Sequence, residues 1–129
     1  MARKIGVLVV DDVGDISRLY CRAIDQQGDM SCVATLSSAD RLLDEVGRRL
    51  PDVVLLDLNM HGLDPLEATR RVSAAHPECR ILVFSGHSDP ETAKAAVDAG
   101  AWGLVSKIAP PGDIFDAIRR VASGEMVFG

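Results

Sequence analysis

With 129 residues, 47% hydrophobic and 26% charged, the chain has the length of one domain and enough apolar mass for a core of its own. Its net charge of −5, from 19 acidic and 14 basic residues, argues against direct contact with nucleic-acid phosphates. No stretch reaches the roughly 18 apolar residues of a membrane span, and the basic start Met1–Lys4 leads into too short an apolar run for a signal peptide, so a cytoplasmic, non-membrane protein is expected. Lys4 to Val10 reads as a first strand ending at Asp11 and Asp12. Ile16, Leu19, Tyr20, Ala23 and Ile24 then fall at helical spacing and predict an amphipathic helix that lays this stripe on a sheet and stops at Gly28. Ser31 to Leu36 is a second strand, and Ser37 or Ser38 is placed to cap a second helix with the stripe Leu42, Leu43, Val46 and Leu50, closed by Pro51.

Asp52 to Asp57 is the central strand, an unbroken apolar run of the kind buried on both faces of a parallel sheet, and it stops at a carboxylate. Pro65 opens a third helix whose stripe of Leu66, Val72 and alanines is weak. Cys79 to Phe84 is the fourth strand, ending at Ser85 and Gly86. The fourth helix, from Asp89 and Pro90, carries Ala93, Ala95, Ala96, Val97 and Ala99, and such small residues predict the least firmly docked helix. Ala101 to Ser106 is the fifth strand, ending at Lys107, and Pro110 to Asp113 lead into a last helix with Ile114, Ala117, Ile118 and Val121 inward. Five strands, each followed by a helix, predict an α/β sandwich with a parallel sheet and helices on both faces. Cys21, Cys32 and Cys79 are odd in number, sit in apolar contexts and lack zinc-type spacing, which predicts reduced packing residues.

Every residue that stands out chemically follows a strand: Asp11 and Asp12 after the first, Asp57 at the end of the third, Ser85 after the fourth and Lys107 after the fifth. That edge of a parallel sheet is where ligands bind. Asp at a strand end often does no more than cap a turn, but two strands ending alike weigh against that reading. Three neighbouring carboxylates raise one another's pKa unless a cation compensates. Hard oxygen donors suit Mg²⁺, which in phosphoryl-transfer sites bridges carboxylates and phosphate oxygens, and one carboxylate can serve as nucleophile and form an aspartyl phosphate.

The set Asp11, Asp12, Asp57, Ser85 and Lys107 resembles the receiver domain of two-component response regulators over essentially the whole chain, and the run Asp57 to Glu67 matches locally. The segments Gly100 to Lys107 and Ile118 to Glu125 are similar to the NarL/FixJ (LuxR-type) subclass, in which a helix-turn-helix output domain usually follows. The resemblance implies a flavodoxin-like, doubly wound α/β/α sandwich with strand order 2-1-3-4-5. It also implies a receiver over residues 1–123 and the start of a linker over 124–129. By the same resemblance, Asp57 takes a phosphoryl group from a sensor histidine kinase. Asp12, Asp57 and the backbone carbonyl of Asn59 hold Mg²⁺, with Mn²⁺ as a substitute, and Asp11 does so through a water. Lys107 pairs with Asp57 and then with the phosphoryl group, and Ser85 turns its hydroxyl toward a phosphoryl oxygen. The face made by the fourth helix, fifth strand and fifth helix is then repacked. Homodimerisation on phosphorylation is a further expectation, and DNA is reached only through a C-terminal domain. No small-molecule turnover is expected.

Four positions depart from the family pattern. Leu104 stands where Tyr or Phe is common, and Trp102, two residues earlier and on the same face by period, is either a replacement ring or a part-exposed apolar residue. Ile108 stands where a cis proline is common, and there a cis peptide is costly. His61 replaces a common Pro and Pro65 a common Gly. His87, two residues after Ser85, is either a solvated loop histidine or a group that tunes phosphoaspartate lifetime with pH. Two other classes fit the sequence less well. A small Mg²⁺-dependent phosphatase would need a cap domain and a second acid at Asn59, and an FMN carrier would need a Ser/Thr/Gly-rich loop after the first strand. A pseudo-receiver that binds partners without phosphorylation stays open beside the receiver reading.

Overall fold

The computed structural model of the chain describes residues 3–86 and 89–128. Its elements alternate as expected: β1 (Ile5–Val10), α1 (Gly14–Asp25), β2 (Met30–Leu36), α2 (Leu42–Arg49), β3 (Val53–Asp57), α3 (Pro65–Ala75), β4 (Arg80–Ser85), α4 (Pro90–Asp98), β5 (Gly103–Ser106) and α5 (Pro111–Ala122). A short β6 (Val127–Phe128) follows, in the stretch expected to begin a linker. The sheet is parallel throughout, in the order β2-β1-β3-β4-β5-β6, so the predicted order 2-1-3-4-5 holds and gains one strand at its edge. Helix α5 thus links β5 to β6, as each helix before it links one parallel strand to the next.

The core lies in two layers, one on each side of the sheet. Val7, Val9, Leu55, Phe84, Ile114 and Ile118 belong to one layer, and Leu8, Val54, Leu56, Val83, Leu42 and Val72 to the other. All five residues of β3 are buried, as a strand covered on both faces requires. Helix α5 buries Ile114, Phe115, Ala117, Ile118 and Val121, each of the larger ones contributing about 1.5–3 kcal/mol. Helix α4 buries only Ala96 and depends more on its caps, where the Asp89 carboxylate accepts the Thr92 N–H at 2.8 Å. Asp64 caps α3 in the same way, with Pro65 at the first helical position.

Three sequence expectations are corrected. In α1 the inward residues are Ser17 and Ile24 with Tyr20 and Ala23 beside them, whereas Ile16 and Leu19 face outward. The phase is set where the helix begins, by the Val13 N–H donating to Asp11, which turns Ser17 rather than Ile16 to the sheet. Cys21 and Cys32 are joined by a disulfide between α1 and β2, not held as separate thiols, while Cys79 stays free and buried, which pushes its pKa up to about 12. Helix α2 begins at Leu42 instead of at the serines, because the Ser38 hydroxyl accepts the Asp40 N–H and closes a turn there. Leu50 ends the helix exposed, at φ 50°.

Candidate functional site

The carboxyl ends of β1, β3, β4 and β5 bring together the residues singled out in the sequence. Asp11 and Asp57 are buried, and Asp12 is exposed at the mouth. One carboxylate oxygen from each of the three lies within 4.8 Å of the others. Lys107 reaches in from the end of β5, its Nζ 3.0 Å from Asp57 Oδ2 and 3.6 Å from Asp11 Oδ2. Backbone donors fix the two buried carboxylates: Val13 N–H donates to Asp11 Oδ1 and Asn59 N–H to Asp57 Oδ1, each at 2.9 Å. Asp11 Oδ2 has no hydrogen-bond partner among the described residues, an orphaned acceptor of the kind that costs stability when buried.

Electrostatics follow from this packing. Burial pushes the Asp11 pKa up, the Val13 N–H and the Lys107 charge pull it back only in part, and Asp57 and Asp12 push it further up. Burial alone would lower the Lys107 pKa, but the hydrogen bond to Asp57 and the charges of Asp57 and Asp11 outweigh it, so the ammonium stays protonated above its ordinary range. Beneath the ammonium, the Phe84 ring lies 5.1 Å from Nζ, and Tyr20 packs edge-on against Phe84 with centroids 5.5 Å apart. Burial also raises the Tyr20 pKa.

Ser85 is buried at the end of β4, opposite Ser106 of β5, and its carbonyl accepts the Lys107 N–H at 2.9 Å. Leu104 is buried on the side of the sheet that packs α4. Trp102 does not share its face: strand geometry begins only at Gly103, and Trp102 packs on the α5 side beneath Arg80, 4.7 Å from the ring centroid, so it is not a replacement ring beside Leu104. The Lys107–Ile108 peptide is trans, like every described peptide bond, and Ile108 is almost fully exposed. His87 lies outside the described residues.

Sequence reasoning missed the support beneath the site. Tyr20 enters the sequence pattern only as part of an apolar stripe, and Asp40 carries no signal there. The Asp40 carboxylate accepts the Leu63 N–H at 2.7 Å and so ties down the loop after Asp57. Gly62 sits in that loop at φ +91°, where an added Cβ would lie 2.8 Å from Asp40 Oδ1. Gly62→Ala should therefore cost about 1–2 kcal/mol for the left-handed backbone alone, read as a lower denaturation midpoint. A fully wild-type midpoint would show that the loop shifts freely.

The model of the response regulator receiver domain matches residues 7–119. The chain belongs to that family. This receiver is 34% identical over 120 residues to the transcriptional activator protein ExaE of Pseudomonas putida, covering 93% of this chain and 56% of the relative. It is 30% identical over 127 residues to a nitrate/nitrite response regulator protein homolog of Haemophilus influenzae, covering 98% of this chain and 61% of that one. The receiver therefore spans little more than half the length of these curated relatives. Among solved structures, a two-component response regulator of the LuxR family from Aurantimonas sp. SI85-9A1 superposes with a TM-score of 0.91 at 29% identity, covering 96% of this chain and 89% of that one. No helix among the described residues is long and apolar enough to cross a membrane.

Proposed function

We propose that the receiver takes a phosphoryl group from a sensor histidine kinase onto Asp57 and converts the added charge into repacking of its α4–β5–α5 face. Carrying the proposal is the Lys107 ammonium set 3.0 Å from a buried Asp57 carboxylate beside a second buried carboxylate with an orphaned oxygen. A carboxylate oxygen of Asp57 attacks phosphorus, the P–N bond of the phosphohistidine breaks, and its electron pair stays on the imidazole nitrogen, which gains a proton. Asn59 N–H holds the Asp57 carboxylate in one orientation for that attack. Lys107 balances charge before and after transfer, and the Ser85 hydroxyl turns to a phosphoryl oxygen. Attack of water on phosphorus later breaks the bond to Asp57 and releases inorganic phosphate.

Mg²⁺, or Mn²⁺ in its place, suits this donor set: three hard carboxylates within 4.8 Å, with an Asp11 Oδ2 that accepts no hydrogen bond among the described residues. Asp12, Asp57 and the Asn59 carbonyl would hold it directly and Asp11 through a water. When bound, it neutralises charge on the phosphoryl oxygens. That the chain covers only 56% of its Pseudomonas relative, a transcriptional activator, supports transcription as the output. We assign residues 1–123 to the receiver unit and 124–129 to the connection toward a DNA-binding domain, with dimerisation as the step between.

Intact-mass spectrometry after incubation with acetyl phosphate, with and without Mg²⁺, tests this against an Asp57→Ala control. One phosphoryl group added only when both Mg²⁺ and Asp57 are present is the expected result. No addition under any condition would overturn it in favour of a module that binds partners without phosphorylation.

A further inference from the structure

β6 closes the sheet on the outer side of β5. Val127 and Phe128 pair in parallel register with Gly103 and Leu104, and the Val127 N–H donates to the Trp102 carbonyl at 2.9 Å. Gly103 makes this approach feasible, since a Cβ there would lie 3.0 Å from the Val127 carbonyl oxygen. The turn into β6 is held by Gly124 at φ +94°, by the Glu125 N–H on the Arg120 carbonyl at 3.0 Å and by an Arg120–Glu125 ion pair. Arg80 braces the same corner, donating to the Ala122 carbonyl at 3.1 Å while lying over the Trp102 ring. On the other face, Phe128 packs on the apolar layer that contains Leu104, its register partner. The strand that carries no aromatic side chain at position 104 thus has a ring beside it, supplied by β6.

The attachment is thin. β6 has two residues, both only half-buried, and beneath them opens a groove of about 670 Å³ lined by Ala93 of α4, Leu104, Ala117 and Phe128. Two small alanines leave room for repacking, and α4 is the helix with the least buried on the sheet. β5 is only four residues long. One of its edges bonds β4, which ends at Ser85, and the other bonds β6. A pull at the Ser85–Lys107 end therefore acts on a short strand whose far edge holds β6.

We propose that β6 is a detachable strap: it is docked on β5, with Phe128 beside Leu104, while Asp57 is unmodified, and it is released when phosphorylation of Asp57 draws the Ser85 loop and α4 inward and narrows the groove under Phe128. This rests on the phosphoacceptor reading of Asp57. It makes residues 124–129 the lever by which the receiver signals to whatever follows them.

Trp102 reports on the strap, because it is the only tryptophan in the chain and its carbonyl holds β6. The full chain is treated with acetyl phosphate and Mg²⁺, the phosphoryl adduct is counted by intact mass, and tryptophan emission and hydrogen exchange over residues 124–129 are followed on the same sample. Red-shifted emission and at least tenfold faster exchange in that segment, in proportion to the adduct, are expected. Val127→Pro removes the donor to Trp102 and should show the released signature before treatment, with no further shift after it and with undiminished adduct. A full adduct with unchanged emission and exchange would overturn the strap and leave the phosphoacceptor reading standing. An absent adduct would bring down both. Far-UV circular dichroism of Val127→Pro confirms its fold, and Phe128→Ala, expected to weaken docking in part, provides a second variant.

Discussion

Lys107→Ala leaves Mg²⁺ binding intact or tighter and abolishes the conformational response to phosphorylation. The ammonium lies 3.0 Å from Asp57 and 3.6 Å from Asp11, so its positive charge competes with any cation held by the same oxygens. Two unit charges about 4 Å apart interact by roughly 1–4 kcal/mol between bulk water and the dielectric of a protein surface. Removing one such repulsion should raise Mg²⁺ affinity by about fivefold or more, measured by calorimetry. The same variant should lose the emission and exchange changes described for residues 124–129, because no cation remains on β5 to follow the phosphoryl charge. Reduced Mg²⁺ affinity would contradict the role given to Lys107.

Asp11→Asn raises the stability of the metal-free protein near neutral pH and weakens its stabilisation by Mg²⁺. Burial lifts the folded pKa of Asp11 above its ordinary value of 3.8, so the folded state holds that proton more readily than the unfolded chain does. Stability from this group is therefore present below 3.8 and declines as pH rises from there through the folded pKa. At neutral pH the ionised carboxylate, whose Oδ2 accepts no hydrogen bond among the described residues, is a net cost that the Lys107 charge 3.6 Å away offsets only in part. The uncharged amide keeps the acceptor for Val13 N–H and should gain about 1 kcal/mol, roughly 3–5 °C in Tm for a domain this size. Thermal melts with and without Mg²⁺ at neutral pH and at about pH 4 check both halves, since the wild-type response to Mg²⁺ should shrink at the acid end as carboxylates protonate. A variant that melts below wild type without metal would show that the carboxylate is better compensated than its geometry indicates.

The fold was legible because β-strand runs such as Val53–Leu56 are apolar throughout and each stops at a polar residue, while Pro65, Pro90 and Pro111 mark helix starts. The site was legible for the same reason: its members end a strand or follow one within two residues, where sequence position fixes place. The phase of a helix was harder. Ser17 faces inward in preference to Ile16 because the turn at Asp11 and Val13 sets the first residue of α1, and the hydrophobic pattern does not encode that turn. Trp102 deceived by period, since alternation holds only inside a strand and β5 starts one residue later. Contacts between distant segments left no local trace: Cys21 with Cys32, Asp40 with Leu63, and Phe128 beside Leu104 each need the folded sheet to bring them together.

The parallel sheet has two edges, and they are guarded differently. On β2, the register against β1 slips between Val7 and Leu8, which leaves Val33 as an extra residue that breaks the regular row of backbone groups. Such a bulge makes an edge a poor template for another chain's strand. On the opposite side, β5 has no bulge, and its guard is β6, two residues long. When that cover is off, the Trp102 carbonyl and the outer edge of Gly103 and Leu104 become open positions for strand addition. High concentrations of a variant lacking residues 125–129 should accordingly self-associate through β5, which makes Val127 and Phe128 the residues that set the solubility of the domain.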